Sequence, residues 1–126
     1  MPYIEILAPP LPVERRQQVA TAVTDGICRS FSVGPETVTL YFLDIAPSAY
    51  AHAGMMGPAT GEQRIFVKVH AYRRSIPARR EAAAALTAPL ATLYGTTAKA
   101  LAVYFFDRAK DEVAHAGFLS SDAEPS

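Results

Sequence analysis

The chain has one cysteine, Cys28, so neither an intrachain disulfide nor a cysteine metal cluster can form. Charge of one sign is missing too. Twelve basic residues are matched by twelve acidic ones, and the formal net charge is zero. Such a chain has no basic field to hold a phosphate backbone or an anionic membrane, which argues against nucleic acid and membranes as partners. No apolar run approaches the roughly 18 residues of a spanning helix, and the N-terminus lacks the basic region and cleavage site of a signal peptide. A soluble, cytoplasmic protein is the expectation. No spacing of His, Cys, Asp or Glu matches a metal site and no glycine-rich phosphate loop occurs, so no metal and no organic cofactor is expected.

What is present is an apolar chain of ordinary domain size: 126 residues, 50% of them hydrophobic, enough to bury most of the surface the unfolded form would expose. Residues 2 to 8 read as a short strand closed by the prolines at 9, 10 and 12. From Val13 to Phe31 the apolar residues Val19, Val23, Ile27 and Phe31 recur every four positions, predicting a helix that Gly34-Pro35 ends. Cys28 falls on that helix and reads as a small helical residue rather than a nucleophile. Val38 to Ile45 is a second strand, apolar almost throughout and therefore expected to be covered on both faces. The stretch from Pro47 to Gln63, rich in Ala, Gly, Pro and Ser, is a linker or hairpin region.

The second half repeats the first, with a strand at Arg64 to Ala71, a helix at Ile76 to Tyr94 and a strand at Ala100 to Asp107. Adding 63 carries Val38-Thr-Leu-Tyr-Phe-Leu-Asp44 onto Leu101-Ala-Val-Tyr-Phe-Phe-Asp107, and Ala51-His-Ala-Gly54 onto Ala114-His-Ala-Gly117. Arg15-Arg16 is expected to fall on Arg79-Arg80 through one extra residue in the second copy. The expected architecture is thus α/β in content (α+β), a single domain over 1–126 made of two β-α-β repeats, about 2–54 and 65–117. Its four-stranded sheet carries two helices on one face.

A duplicated scaffold needs no particular chemistry at equivalent positions, so the differences between the copies carry the functional signal. Pro2 has Ile65 as its counterpart. Removal of Met1 would leave Pro2 as a secondary amine held rigidly by the strand it opens, a group able to accept and return protons near neutral pH once burial and nearby cations depress its pKa. The first strand runs into Pro9-Pro10-Leu11-Pro12, the third into Tyr72-Arg73-Arg74-Ser75. Arg74, with Arg73, offers guanidinium forks suited to a carboxylate. Arg79 and Arg80 read as solvated helix residues. Lys68 and His70 alternate with Phe66 on one strand face and read as interface or satisfied core groups. His52 and His115, in the repeated Ala-His-Ala-Gly, read first as turn or packing residues.

With Met1-Pro2 before a strand, with Arg64-Ile-Phe-Val-Lys-Val-His-Ala-Tyr-Arg-Arg-Ser75 and with Leu101 to Asp107, the chain resembles the tautomerase superfamily, the 4-oxalocrotonate tautomerase-like proteins that use an N-terminal proline. It is similar to the fused, two-unit branch, nearest to cis-3-chloroacrylic acid dehalogenase-like members. The resemblance implies Pro2 as catalytic acid or base, Arg74 with Arg73 as carboxylate holders, Tyr104 as an assisting hydroxyl, and assembly as a homotrimer. The chain departs from the dehalogenase pattern at Ile27, where that branch has a histidine, at about His115, where it has an acidic residue, and at Tyr72, where it has an arginine. Pro10 to Pro12 fill the place of the first-strand arginine of the single-unit tautomerases.

The expectation is a keto-enol or double-bond isomerase acting on a small 2-oxo or 2-hydroxy-enoic acid. Catalytic residues would be Pro2 and Tyr104, with Arg73 and Arg74 binding a small carboxylate substrate and His115 as a further candidate. Hydration, dehalogenation or decarboxylation of a 3-substituted acrylate is the alternative chemistry, and a noncatalytic trimeric binding protein the alternative of another class. Loops 46–63 and 108–126 are expected to shape the pocket.

Overall fold

The structure, a computed structural model, describes residues 1–58 and 62–122. Strand β1 (Tyr3–Ala8) alternates strictly, placing Ile4, Ile6 and Ala8 in the core. Helix α1 (Val13–Phe31) buries its whole expected stripe, Val19, Val23, Ile27 and Phe31. The helix stops at Ser32, whose left-handed conformation (φ 55°) lets Val33 N–H reach the Cys28 carbonyl, so the cap is Ser32 rather than Gly34. Strand β2 (Thr39–Asp44) follows, and then a hairpin of two-residue strands, β3 (Ala51–His52) and β4 (Met55–Met56).

The second copy runs β5 (Ile65–Tyr72), α2 (Ile76–Tyr94), β6 (Leu101–Arg108) and the hairpin β7 (Ala114–His115) and β8 (Phe118–Leu119). Ser75 caps α2 by accepting a hydrogen bond from Ala78 N–H at 3.2 Å, and Gly95 ends it in the left-handed region. Both helices and both hairpins recur at a shift of 63 with no insertion, which corrects the extra residue expected in the second helix. The side chains agree. Arg16 pairs with Asp44 at 2.5 Å, and Arg79, at the same shift, pairs with Asp107 at 3.3 Å. Arg79 is therefore a half-buried structural partner of the sheet, not a solvated helix residue.

The sheet order is β2-β1-β5-β6, parallel within each copy and antiparallel at the central β1–β5 seam. Both helices lie on one face and pack together so closely that a Cβ added at Gly26 would stand 3.2 Å from Leu86 Cδ2 and 3.3 Å from Ala85 Cβ. Between them and the sheet sits the core of Ile4, Ile6, Val19, Val23, Ile27, Val67, Val69, Leu86 and Leu90.

The opposite face carries Tyr3, Tyr41, Phe66, Lys68, His70, Tyr104 and Phe106, with Tyr41 and Tyr104 still 55% and 54% exposed. Within one chain β2 and β6 are therefore covered on a single face, not on both. Tyr3, His70 and Phe106 stack in sequence there, and His70 Nε2 lies 2.5 Å from Glu5 Oε2.

The repeated Ala-His-Ala-Gly proves to be the turn of each hairpin. Ala53-Gly54 and Ala116-Gly117 all have positive φ, the paired left-handed geometry of a tight two-residue turn. Each hairpin lies against the start of the other copy's first strand. The first reaches β5, where Arg64 N–H donates to Tyr50 Oη and Arg64 Nε donates to His52 Nε2 at 3.3 Å. The second borders the same cleft as Met1, Pro2 and Tyr3 at the start of β1.

Candidate active site

At that start, Pro2 is fully buried, and its carbonyl accepts the Thr39 N–H at 3.2 Å, which ties it to β2. A cleft of about 610 Å³ opens directly onto it. Its walls come from β1 (Met1, Pro2, Tyr3), β2 (Thr39, Tyr41), the end of β5 (Tyr72) and the second hairpin with its flanks (Val113, Ala114, His115, Ser120). A neighbouring cleft of about 360 Å³ shares Met1, Tyr3 and Tyr72 and adds His70, Arg108 and Glu112. The N-terminal amine, here that of Met1, is held below its ordinary pKa of 8.0, first by burial and then by the Arg74 cation.

Arg74 is not among the residues lining either cleft; it is fixed by two contacts, and its cation acts on the Met1 amine. Its Nη1 donates to the Tyr72 carbonyl at 2.8 Å, and its guanidinium lies 4.9 Å over the Phe31 ring. Arg73 turns elsewhere. It is 70% exposed, and its Nη1 donates to Asp107 Oδ2 at 3.0 Å, sharing that carboxylate with Arg79. Neighbouring side chains on an extended segment diverge, and here they diverge between the amine and the second ion pair.

Of the other residues singled out by sequence, His115 lines the Pro2 cleft, whereas Tyr104 lies on the open sheet face, in edge contact with Phe66 at 5.7 Å. Its copy Tyr41 borders the cleft instead. Ile27 is buried without exposure in the core and contributes nothing to the cleft wall. The loops expected to shape the pocket do so in part: residues 113–115 and 120 line the cleft, and positions 59–61 and 123–126 lie outside the described residues. Sequence reasoning missed Thr39, Tyr41 and Tyr72 as wall residues and reached Ser120 only as part of the loop 108–126. The antiparallel β1–β5 pairing was the signal that could have found Tyr72, since carrying the register Tyr3↔His70 onward sets Tyr72 across from Met1.

Among the described residues no group of three His, Cys, Asp or Glu could hold a metal ion, and no helix is long and apolar enough to cross a membrane.

No family profile matches the chain, and no curated protein matches it in sequence. Solved structures match it closely in shape. The chain is similar to the F6 fused 4-OT wild type asymmetric trimer, with a TM-score of 0.88 and 14% identity over 95% of this chain and 97% of that one. It is similar to Pt0534 inactivated by 2-oxo-3-pentynoate, with a TM-score of 0.86 and 18% identity over 97% and 99%. It is also similar to N1, a member of the cis-3-chloroacrylic acid dehalogenase family, with a TM-score of 0.75 and 20% identity over 93% and 82%. At such identities the likeness establishes a shared fold, the duplicated β-α-β of fused 4-OT proteins, as expected.

Proposed function

We propose that the chain is a tautomerase, an isomerase interconverting keto and enol or double-bond isomers of a small 2-oxo or 2-hydroxy-enoic acid, with Pro2 as its proton carrier. The observation that carries this reading is that the buried Pro2 lines the 610 Å³ cleft, beside a Met1 amine whose pKa is lowered by burial and by Arg74. A lowered amine pKa means a larger neutral fraction at pH 7, which is what a base needs. After loss of Met1 the Pro2 nitrogen accepts the proton released by the enol hydroxyl and delivers it to the enol carbon, becoming neutral again. Arg74 holds the carboxylate, and the apolar and aromatic wall keeps water from competing. His115, in the same wall, is placed to contact the substrate.

Burial of Ile27 in the core counts against hydration, dehalogenation or decarboxylation, because that helix position supplies no polar group to the cleft. The neutral charge and the lone Cys28 fit work in the reducing cytoplasm. The open face of the sheet, with Tyr3, Tyr41, Phe66 and Tyr104 exposed, fits assembly of three copies; a similar structure is a trimer of fused 4-OT. On this reading Tyr104 acts across a subunit boundary or not at all, and Arg73 stays with Asp107.

The test is intact-mass analysis of the native protein, before and after treatment with 2-oxo-3-pentynoate, combined with ketonisation assays on phenylenolpyruvate and 2-hydroxymuconate. We expect the mass of the chain without Met1, a single adduct on Pro2, and loss of turnover in a folded Pro2→Ala variant. Quantitative retention of Met1 would overturn the reading, because the proline nitrogen would then be an amide.

A further inference from the structure

The geometry points to Tyr72 as a second catalytic residue, its phenol donating a hydrogen bond to the substrate's enol oxygen beside Pro2, with Ser120 as the residue that positions it. This rests on the reading of the Pro2 cleft given above.

Tyr72 is the last residue of β5, and the β1–β5 register carries it past Tyr3 to stand across from Met1. Tyr72 lines both the 610 Å³ cleft, together with Pro2, and the neighbouring cleft. The hydroxyl is pinned by a hydrogen bond to Ser120 Oγ, and Ser120 is itself fixed through its N–H to the Val113 carbonyl at 2.9 Å. The other tyrosines on the wall have no such anchor among the described residues. Tyr3 and Tyr41 meet each other edge to face at 6.1 Å and remain exposed. In this structure the Tyr72 hydroxyl donates to Ser120 Oγ; each hydroxyl carries one proton and can accept, so when a substrate oxygen arrives the pair can turn about, Ser120 donating and the phenol proton passing to the substrate.

The backbone of the same residue strengthens the assignment. The Tyr72 carbonyl holds the Arg74 guanidinium at 2.8 Å, so the carboxylate anchor and the phenol are set by one residue's main chain and side chain. A 2-oxo acid carries its carboxylate and its reacting oxygen on adjacent carbons. Two groups spaced by one short segment can take both, and Pro2 faces the carbon that exchanges the proton. Charge that develops on the enol oxygen then meets the Tyr72 phenol, whose proton needs only to turn from Ser120.

The same hydrogen bond also clasps the second hairpin to the sheet, and the experiment separates the two roles. Steady-state ketonisation of phenylenolpyruvate would be measured for wild type, Tyr72→Phe, Ser120→Ala and Ser120→Thr. Each protein would also be treated with 2-oxo-3-pentynoate to report whether the Pro2 site is intact. Both Tyr72→Phe and Ser120→Ala lose the clasp, but only the first loses the phenol. We expect kcat to fall about 100-fold in Tyr72→Phe with KM little changed, as for removal of one oxyanion donor. Ser120→Ala should fall by roughly tenfold or less, and Ser120→Thr should recover the loss. Equal losses in Tyr72→Phe and Ser120→Ala, or a kcat within threefold of wild type in a Tyr72→Phe protein that still labels at Pro2, would overturn the catalytic role and leave the Pro2 reading standing. A wild-type protein without Pro2-dependent turnover would overturn both.

Discussion

Replacing Arg74 by alanine should have two separable effects, because the guanidinium has two neighbours of different kinds. Truncating one member of a charge-assisted pair costs about 2 to 5 kcal/mol. Arg74 is half-buried rather than sealed from water, so the lower part of that range applies. About 2 to 3 kcal/mol corresponds to a fall in kcat/KM of roughly 30- to 150-fold. The second effect is on the amine. The Arg74 cation lowers its pKa, so without it the pKa rises toward 8.0, though burial, the larger cause, remains. A base is lost when protonated, so the acid limb of the kcat/KM profile should move to higher pH. At pH values above both limbs the amine is neutral in both proteins, and the remaining deficit isolates the lost carboxylate contact. Stability should change by only about 0.5 to 1 kcal/mol, the worth of a partly exposed cation over the Phe31 ring. The assay is kcat/KM for phenylenolpyruvate across pH, alongside urea unfolding. An unmoved acid limb would show that Arg74 does not act on the amine, and a loss under threefold at the high-pH end would show that it does not hold the carboxylate.

Leu86→Ala should cost about 2 to 5 kcal/mol in urea unfolding, because Leu86 is buried where α2 meets α1; a loss below about 1 kcal/mol would mean that the helices do not pack as described. Tyr94 has its pKa pushed up to about 12 by burial and by Asp44, against the opposing pull of Arg16. The unfolded chain releases that proton first, from a pKa of 10.0, so stability should fall as pH rises from about 10 to 12, by on the order of 1 kcal/mol once partial exposure is allowed for; Tyr94→Phe should remove that slope. In sedimentation equilibrium at micromolar concentration the protein should weigh three times its 13.6 kDa chain, and a stable monomer would refute assembly through the open sheet face.

Periodicity and repetition made the scaffold legible. The helix stripe at Val19, Val23, Ile27 and Phe31 and the copied strand at Leu101 depend on local patterns that the fold keeps, and both helix boundaries were readable from them. The cap at Ser32 was not, since a serine in left-handed conformation gives no sequence signal comparable to the Gly34-Pro35 beside it. Cover on the second face of β2 was not found within one chain, because both helices lie on the other face.

The site was legible only where chemistry sets one copy apart from the other. Pro2 against Ile65 stood out, and so did the arginines after β5. Tyr41, Tyr72 and Ser120 did not, because they become wall residues only through the β1–β5 register and the return of the second hairpin. Arg73 and Arg74 look alike in sequence, and what separates them is Asp107, thirty-four residues away from the first.

The two ends of the molecule differ in a way that would make the proposed chemistry one-sided. At the far end Arg64, Ile65 and His52 stand where Met1, Pro2 and His115 stand at the near end, and the hairpin lies against the strand in the same way. The difference is covalent before it is chemical. The nitrogen of residue 65 follows a peptide bond, and an amide nitrogen neither accepts a proton at neutral pH nor returns one. No side chain placed at 65 could alter that, so an apolar Ile65, buried to 1% exposure, suits the core at no chemical cost. On the reading proposed here only the strand that opens after Met1 can offer an amine. On the same reading the second copy still contributes what needs no chain end, through Tyr72 in the cleft wall and through Arg74, whose cation lowers the pKa of the N-terminal amine.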